Sequence, residues 1–228
     1  MIRRVDVALR MELAASPIDR SLALFEAAVM ARCAASPTQV AGRVRASAQR
    51  PHRLATVGEQ QEQGLLIEFT SVAAARRYVA AIAPLAPDAH VETRQLGCRH
   101  QYEVHQVTVP SRFEPMISNR LRRAWQASAE LLLDEGRSVH APKREAIARA
   151  AWRAALLVVG PGRGVACIRL RLADLRAVDL LLRSAALLGL PAKAQRRPGG
   201  YVVSIDGVDA VERLLDEAGG LSRRAVPA

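Results

Sequence analysis

This 228-residue chain repeats one order of helical and extended segments, and this repetition limits the folds that it can adopt. Each half of the sequence reads as an Ala-rich helix, an extended segment, a second helix, two further extended segments and a closing helix. A unit that occurs twice in one chain predicts two similar structural units that bury a common core. We therefore expect an α+β fold with pseudo-two-fold symmetry.

The first unit is read from its hydrophobic period and its breaking residues. An Ala-rich helix is predicted over Leu22–Ala34, and the next helix runs from Ser71-Val72 to about Ala83, where prolines end it. The extended segments are predicted at Leu65–Phe69, His90–Leu96 and Gln101–Val109.

The second unit repeats this order with clearer signals. The segment Ala166–Leu172 alternates apolar and basic residues, as a half-buried strand does, and Asp174 is a suitable N-cap for the helix after it. In chain order we predict a helix over Ile147–Val159, the strand, a helix that closes at Gly189, strands over Ala192–Arg196 and Tyr201–Ile205, and a helix over Val208–Ala218.

The boundaries of the halves follow from the segment between them. Residues 113–146 contain a helix over Arg120–Leu133 with large apolar residues, which is typical of a structured connector. We therefore expect a first half at 1–112, a helical connector at 113–146 and a second half at 147–228. The Ala-rich helices carry small residues, which would let them approach closely: Ala27, Ala28, Ala31, Ala154 and Ala155.

Charge indicates a polyanionic partner. The net charge is +11, and only Lys143 and Lys193 among the 33 basic residues are lysines. Residues 1–115 carry 14 basic and 11 acidic side chains, whereas residues 116–228 carry 19 and 11, so the second half holds most of the excess. Arg makes bidentate contacts with phosphate and guanine, although a high Arg content also follows from a GC-rich genome.

The sequence also indicates where the chain resides. No apolar run approaches the roughly 18 residues that a membrane-spanning helix needs. The N-terminus begins with basic residues, as a signal peptide does, but Asp6, Arg10 and Glu12 interrupt the apolar stretch that should follow. We therefore expect a cytoplasmic protein with no membrane partner.

Several short motifs together resemble the N-terminal part of WhiA-like sporulation regulators. Arg153–Gly160 is similar to their R-G-x-F-x-x-x-G helix, with Ala154 for the first Gly and Leu156 for the Phe. The stretch Leu188–Lys193 resembles the point where a WhiA helix ends on L-G. The pair Arg196-Arg197, followed by Tyr201-Val202-Val203, is similar to the R-R…Y-V-V hairpin of WhiA proteins. Leu9–Leu13 is similar to their V-K-x-E-L opening.

This resemblance implies a duplicated αββαββα LAGLIDADG homing-endonuclease-like fold and a DNA-associated transcription regulator. WhiA proteins continue into a C-terminal helix-turn-helix domain, and from these 228 residues we expect the endonuclease-like part without it. Active endonucleases of this fold place a metal-binding carboxylate at the end of each LAGLIDADG helix. Val159 stands at that position in the second helix, and Ala31–Ala34 holds no acid in the first. We therefore expect no catalysis; a residual nuclease would need Glu26, Asp134 or Glu135.

In this fold the outer faces of the sheets lie on duplex DNA, and the period of two in a strand predicts which residues reach it. In the first half the outward positions are predicted to be mixed in charge: Glu68, Thr70, Glu92, Arg94, Glu103 and His105. The predicted DNA-binding residues are Arg169, Arg171, Lys193, Gln195, Arg197 and Ser204, with Arg43 and Arg45 from a loop of the first half.

Cofactor and metal chemistry have weak signals. The glycines of 160–164 follow a helix and precede a strand, the reverse of a phosphate-binding loop, which indicates a tight turn. Three cysteines without a close pair, and His100 and His105 near Glu103 without a second ligand pair, do not make a metal site. We expect no cofactor and no metal. The alternative to DNA binding is a protein-interaction or dimerisation module that acts through a partner regulator or another copy of the chain.

Overall fold

A computed structural model describes residues 2–34, 63–97, 102–133, 141–160 and 166–219, with the side chains of 2–6, 63 and 65 left out. The helices of this part of the chain are, in order, α1 (Ile2–Ala15), α2 (Ala23–Ala34), α3 (Val72–Ile82), α4 (Glu114–Leu133), α5 (Ala141–Val159), α6 (Leu175–Leu187) and α7 (Val208–Gly219). The strands are β1 (Gln63–Phe69), β2 (His90–Leu96), β3 (Tyr102–Pro110), β4 (Cys167–Leu172), β5 (Ala192–Arg197) and β6 (Gly200–Asp206).

The two halves have the same sheet topology. The described strands form two antiparallel three-stranded sheets, ordered β1-β3-β2 in the first half and β4-β6-β5 in the second. In both, the last strand of the unit lies between the other two, and the order helix, strand, helix, strand, strand, helix repeats from α2 to α4 and from α5 to α7. The duplication predicted from the sequence is confirmed. The predicted αββαββα pattern implies four strands in each unit, whereas three strands are described in each sheet.

Helices α2 and α5 pack against each other at the centre of the molecule. Four of the five alanines expected at this contact are buried, with Ala27, Ala154 and Ala155 fully so, and Ala31 is partly buried. Small side chains let two helix backbones come close, and the larger side chains of Phe25, Met30 and Trp152 on the same two helices are buried in the core. One continuous core therefore joins the two halves.

Each sheet packs one face against a helix of its own half. Helix α3 lies on the first sheet and α6 on the second. The Ser71 hydroxyl caps α3 by accepting from the Ala74 N–H, and the Asp174 carboxylate caps α6 by accepting from the Arg176 N–H. These caps satisfy donors that the first helical turn leaves without an acceptor. The opposite face of each sheet points away from these helices.

Before α2 the chain forms a further helix, α1, which was not predicted from the sequence. Helix α1 packs against α3, α5 and α7, and its Leu13 is fully buried. No helix in the described parts of the chain is long and apolar enough to cross a membrane.

Candidate nucleic-acid interface

The outer face of the second sheet carries the residues predicted to contact DNA. Strand β4 alternates as expected: Ile168, Leu170 and Leu172 are buried, and Arg169 and Arg171 are exposed. The apolar residues fix the inner face against α6, so the arginines between them face outward.

Strand pairing arranges these residues in rows across the sheet. Arg169 lies opposite Ser204 on β6, and Ser204 lies opposite Lys193 on β5. One step along, Arg171 lies opposite Val202, and Val202 lies opposite Gln195. Paired residues in a sheet point to the same face. The structure therefore brings these side chains together on one surface, with Arg197 one step beyond Gln195. We call it the basic face: Arg169, Arg171, Lys193, Gln195, Arg197, Val202 and Ser204.

Hydrogen bonds hold part of the basic face in position. Arg171 Nη2 donates to the Pro198 carbonyl oxygen at 2.7 Å, which ties β4 to the β5–β6 turn. Arg197 Nη2 donates to Gln195 Oε1 at 2.8 Å on the same edge strand. Arg169 and Lys193 are exposed. Exposed cations at regular spacing can contact phosphate, and Gln and Arg can also bind base edges.

The outer face of the first sheet differs in charge. Glu68, Gln106 and Glu92 form a row across it, and Gln106 Nε2 donates to Glu68 Oε1 at 2.7 Å. Arg94 is exposed on the same face, opposite Val104. Two carboxylates in the position of a phosphate-binding row disfavour a polyanion. The predicted placement of Glu68, Glu92 and Arg94 is confirmed.

The prediction that His105 faces outward was wrong. His105 is 5 % exposed and lies opposite Phe69, so it points to the inner face. It shares that face with Val107 and Val109, whose burial decides the orientation of the strand. Thr93 Oγ1 lies 3.0 Å from His105 Nδ1 and satisfies one nitrogen of the buried ring. The prediction that Glu103 faces outward was wrong in the same way, since Glu103 lies on the face of His105, although it is exposed near the end of the strand.

Arg43 and Arg45 lie outside the described residues, as do Asp134 and Glu135. Glu26 is described, and it is 2 % exposed. Arg77 pairs with its carboxylate through Nε and Nη2, and Arg153 Nε lies 3.5 Å from its Oε2. Burial lowers the pKa of Arg153, and the nearby Glu26 opposes that shift. A carboxylate enclosed between two guanidinium groups is not placed to bind a metal ion.

The helix ends that hold carboxylates in active LAGLIDADG enzymes have different chemistry in this chain. Val159 is the last residue of α5, and Arg10 Nη2 donates to its carbonyl oxygen at 3.3 Å. Gly160 follows with φ +74°, and a Cβ there would lie 2.0 Å from Arg10 Nη2. The C-terminus of a helix carries partial negative charge and favours a cation. At the end of α5 the Arg10 guanidinium occupies the position that a metal ion would need. These groups do not suit Mg²⁺, which requires oxygen ligands.

The end of α2 is closed by a different set of contacts. Arg32 pairs with the Asp174 carboxylate, and its guanidinium lies 4.3 Å from the centre of the Trp125 ring. Cys33 is buried, and burial raises the pKa of its thiol to about 12. Nowhere in the described parts of the chain do three His, Cys, Asp or Glu side chains come together in a way that could hold a metal ion.

Comparison of structures identifies the fold. Full-length DUF199/WhiA from Thermatoga maritima matches over 96 % of this chain with 13 % identity and a TM-score of 0.59, and this chain spans 62 % of that protein's length. The N-terminal LAGLIDADG domain of DUF199/WhiA matches over 96 % of this chain and 94 % of its own, with 14 % identity and a TM-score of 0.57. No family model matches the sequence, and neither does any curated protein. The chain therefore has the fold of the LAGLIDADG domain of WhiA.

Proposed function

We propose that this chain is a non-catalytic, DNA-associated regulator of the WhiA type, which contacts duplex DNA through its basic face. The observation that carries the proposal is the paired rows of that face, in which Arg169, Ser204 and Lys193 lie side by side. Arg169 and Lys193 lie two strand spacings apart, roughly 10 Å, and Arg171 lies two residues along β4 from Arg169, so one surface presents several cations to the phosphates of a duplex. The net charge of the second half, larger than that of the first, favours the same surface.

A matched pair of triple variants tests this contact. R169Q/R171Q/K193Q removes three cations from the basic face, and R120Q/R122Q/R123Q removes three exposed arginines from α4, which packs against α2, α5 and α6. Both variants lower the net charge by the same amount. Fluorescence anisotropy with a labelled duplex, over a series of salt concentrations, gives the affinity and its salt dependence.

We expect the basic-face variant to bind about 10-fold or more weakly at low salt. Its slope of log affinity against log salt should fall by about 0.9 for each phosphate contact that is lost. The α4 variant should stay within about 3-fold of the wild type at about 0.1 M salt, because Coulomb attraction to the net charge alone is then screened over roughly 10 Å. Equal losses in the two variants would reject the basic face as the contact, and undetectable binding of the wild type would reject DNA association.

The absence of catalysis is proposed from the helix ends. Arg10 at the Val159 carbonyl and the enclosed Glu26 support it. Supercoiled plasmid incubated with the protein and Mg²⁺ should stay uncut at protein concentrations that saturate binding. Nicking that EDTA abolishes, and that persists after a further purification step, would overturn this part of the proposal.

A further inference from the structure

A cavity of about 390 Å³ lies where α1 meets the first sheet, outside the basic face. The start of α3 and the end of β1 form one wall, and α1 forms the other. Its lining combines apolar side chains with a small number of polar groups, as binding sites for small molecules do. The residues that matter to its chemistry are Val7, Arg10, Met11, Ser71, Val72 and His105.

His105 supplies a buried polar group at this cavity. Its Nδ1 faces Thr93 Oγ1 on the neighbouring strand, so Nε2 is the ring nitrogen that remains for the cavity. When the Thr93 hydroxyl donates to Nδ1, the ring proton resides on Nε2. Among the described residues, Nε2 is not one of the fully buried polar atoms that lack a partner, so it meets solvent at the cavity, where a ligand acceptor would replace water.

Positive charge converges on the same place. The Arg10 side chain lines the cavity beside its contact with the Val159 carbonyl. Helix α3 has eleven residues and directs its N-terminus to the cavity, with no acidic residue in its first turn. Ser71 accepts from the Ala74 N–H, but the N–H groups of Val72 and Ala73 have no acceptor within the helix. Such a helix end favours an anion.

The mouth of the cavity is apolar. Val7 and Met11 lie one turn apart on α1 and are 61 % and 53 % exposed, so they form an apolar strip along this edge of the cavity. Val72 lines the opposite wall. An apolar group bound between these walls would remove this surface from water.

We propose that this cavity binds a small organic anion: a carboxylate or phosphate group joined to a short apolar body. The anionic group is held by His105 Nε2, Arg10 and the N-terminus of α3, and the apolar body lies between Val7, Met11 and Val72. This site is separate from the DNA contact proposed above, and neither depends on the other.

Histidine ring signals in NMR spectra test the site directly. The His105 signal is assigned by its loss in H105Q, and hexanoate, hexyl phosphate, acetate and hexanol are titrated into the wild-type protein. We expect saturable shifts of the His105 signal with hexanoate or hexyl phosphate, at least 10-fold weaker binding of acetate and no saturation with hexanol. Comparison of the two hexyl anions distinguishes a carboxylate site from a phosphate site. No saturable shift with either hexyl anion would overturn the proposal.

A matched pair of variants at the mouth gives a second test. Met11 is exposed, so neither M11E nor M11Q should disturb folding, and the two side chains differ in charge while having nearly the same size. M11E should weaken hexanoate binding at least 10-fold relative to M11Q, because its carboxylate repels the anion. Equal affinities of the two variants would show that the anion binds elsewhere.

Discussion

At the scale of single residues, Glu26 joins the two halves of the molecule. Its carboxylate pairs with Arg77 from the first half and Arg153 from the second. Arg77 also donates from Nη1 to the carbonyl oxygens of Ala14 and Ser16, at 3.0 and 2.6 Å, and Arg153 donates to that of Ala218 at 3.2 Å. A buried ion pair adds little net stability, but the loss of one partner leaves a charge without compensation.

Glu26→Gln should therefore destabilise the protein by about 3–5 kcal/mol, since it leaves two guanidinium groups without a counter-charge. Glu217→Gln is the control, because Glu217 pairs with Arg149 at 2.5 Å near the surface, where both side chains are 38 % exposed. An exposed pair contributes about 0–1 kcal/mol. Urea unfolding measures both variants. Similar losses in the two would contradict the structural role assigned to Glu26.

His105 shows where residue-level prediction reached its limit. Strand β3 carries Val104 on one face and Val107 and Val109 on the other, so its alternation permits two orientations. The pairing of β1 with β3 also shifts in register between Leu65 and Ile67. Such a shift changes which residues lie opposite each other, and the spacing of residues in the sequence does not reveal it. In β4 the alternation is strict, and the outward positions of Arg169 and Arg171 were predicted correctly.

At the scale of elements, the contact between α2 and α5 depends on small side chains. The sequence indicated it through Ala27, Ala28, Ala31, Ala154 and Ala155, and the helices do pack together. An interface of this kind has no space for additional methyl groups, and enlarging one residue forces the backbones apart.

Ala155→Leu should destabilise the protein by about 1–3 kcal/mol, because position 155 is fully buried on α5, the helix that packs against α2. Ala127→Leu makes the same chemical change at an exposed position of α4 and should stay within about 0.5 kcal/mol of the wild type. Thermal and urea unfolding provide the comparison. A tolerated leucine at 155 would mean that α2 and α5 are not closely packed.

Helix boundaries were predicted less well than helix identities. Helices α4 and α5 begin at Glu114 and Ala141, each about six residues before the predicted start. In both, proline is the second helical residue, where its missing N–H costs nothing because the first turn has no acceptor for it. The N-terminal helix α1 was not predicted at all, since much of its stability comes from docking onto α3 and α5.

At the scale of the whole molecule, two units with one topology present different outer faces. The row of Glu68, Gln106 and Glu92 on the first sheet contrasts with the row of Arg169, Ser204 and Lys193 on the second. The core of a duplicated fold constrains inward residues in both copies, whereas outward residues are free to diverge. Contact with DNA is therefore expected to be asymmetric and dominated by the second half.

Site-specific photocrosslinking tests this asymmetry most directly. A benzophenone amino acid replaces Gln195 on the basic face in one variant and Tyr102 on the outer face of the first sheet in the other, and both positions are exposed. With a bound duplex, we predict strong crosslinking from position 195 and several-fold less from position 102. Equal or stronger crosslinking from position 102, at matched occupancy of the duplex, would show that the second half does not dominate the contact with DNA.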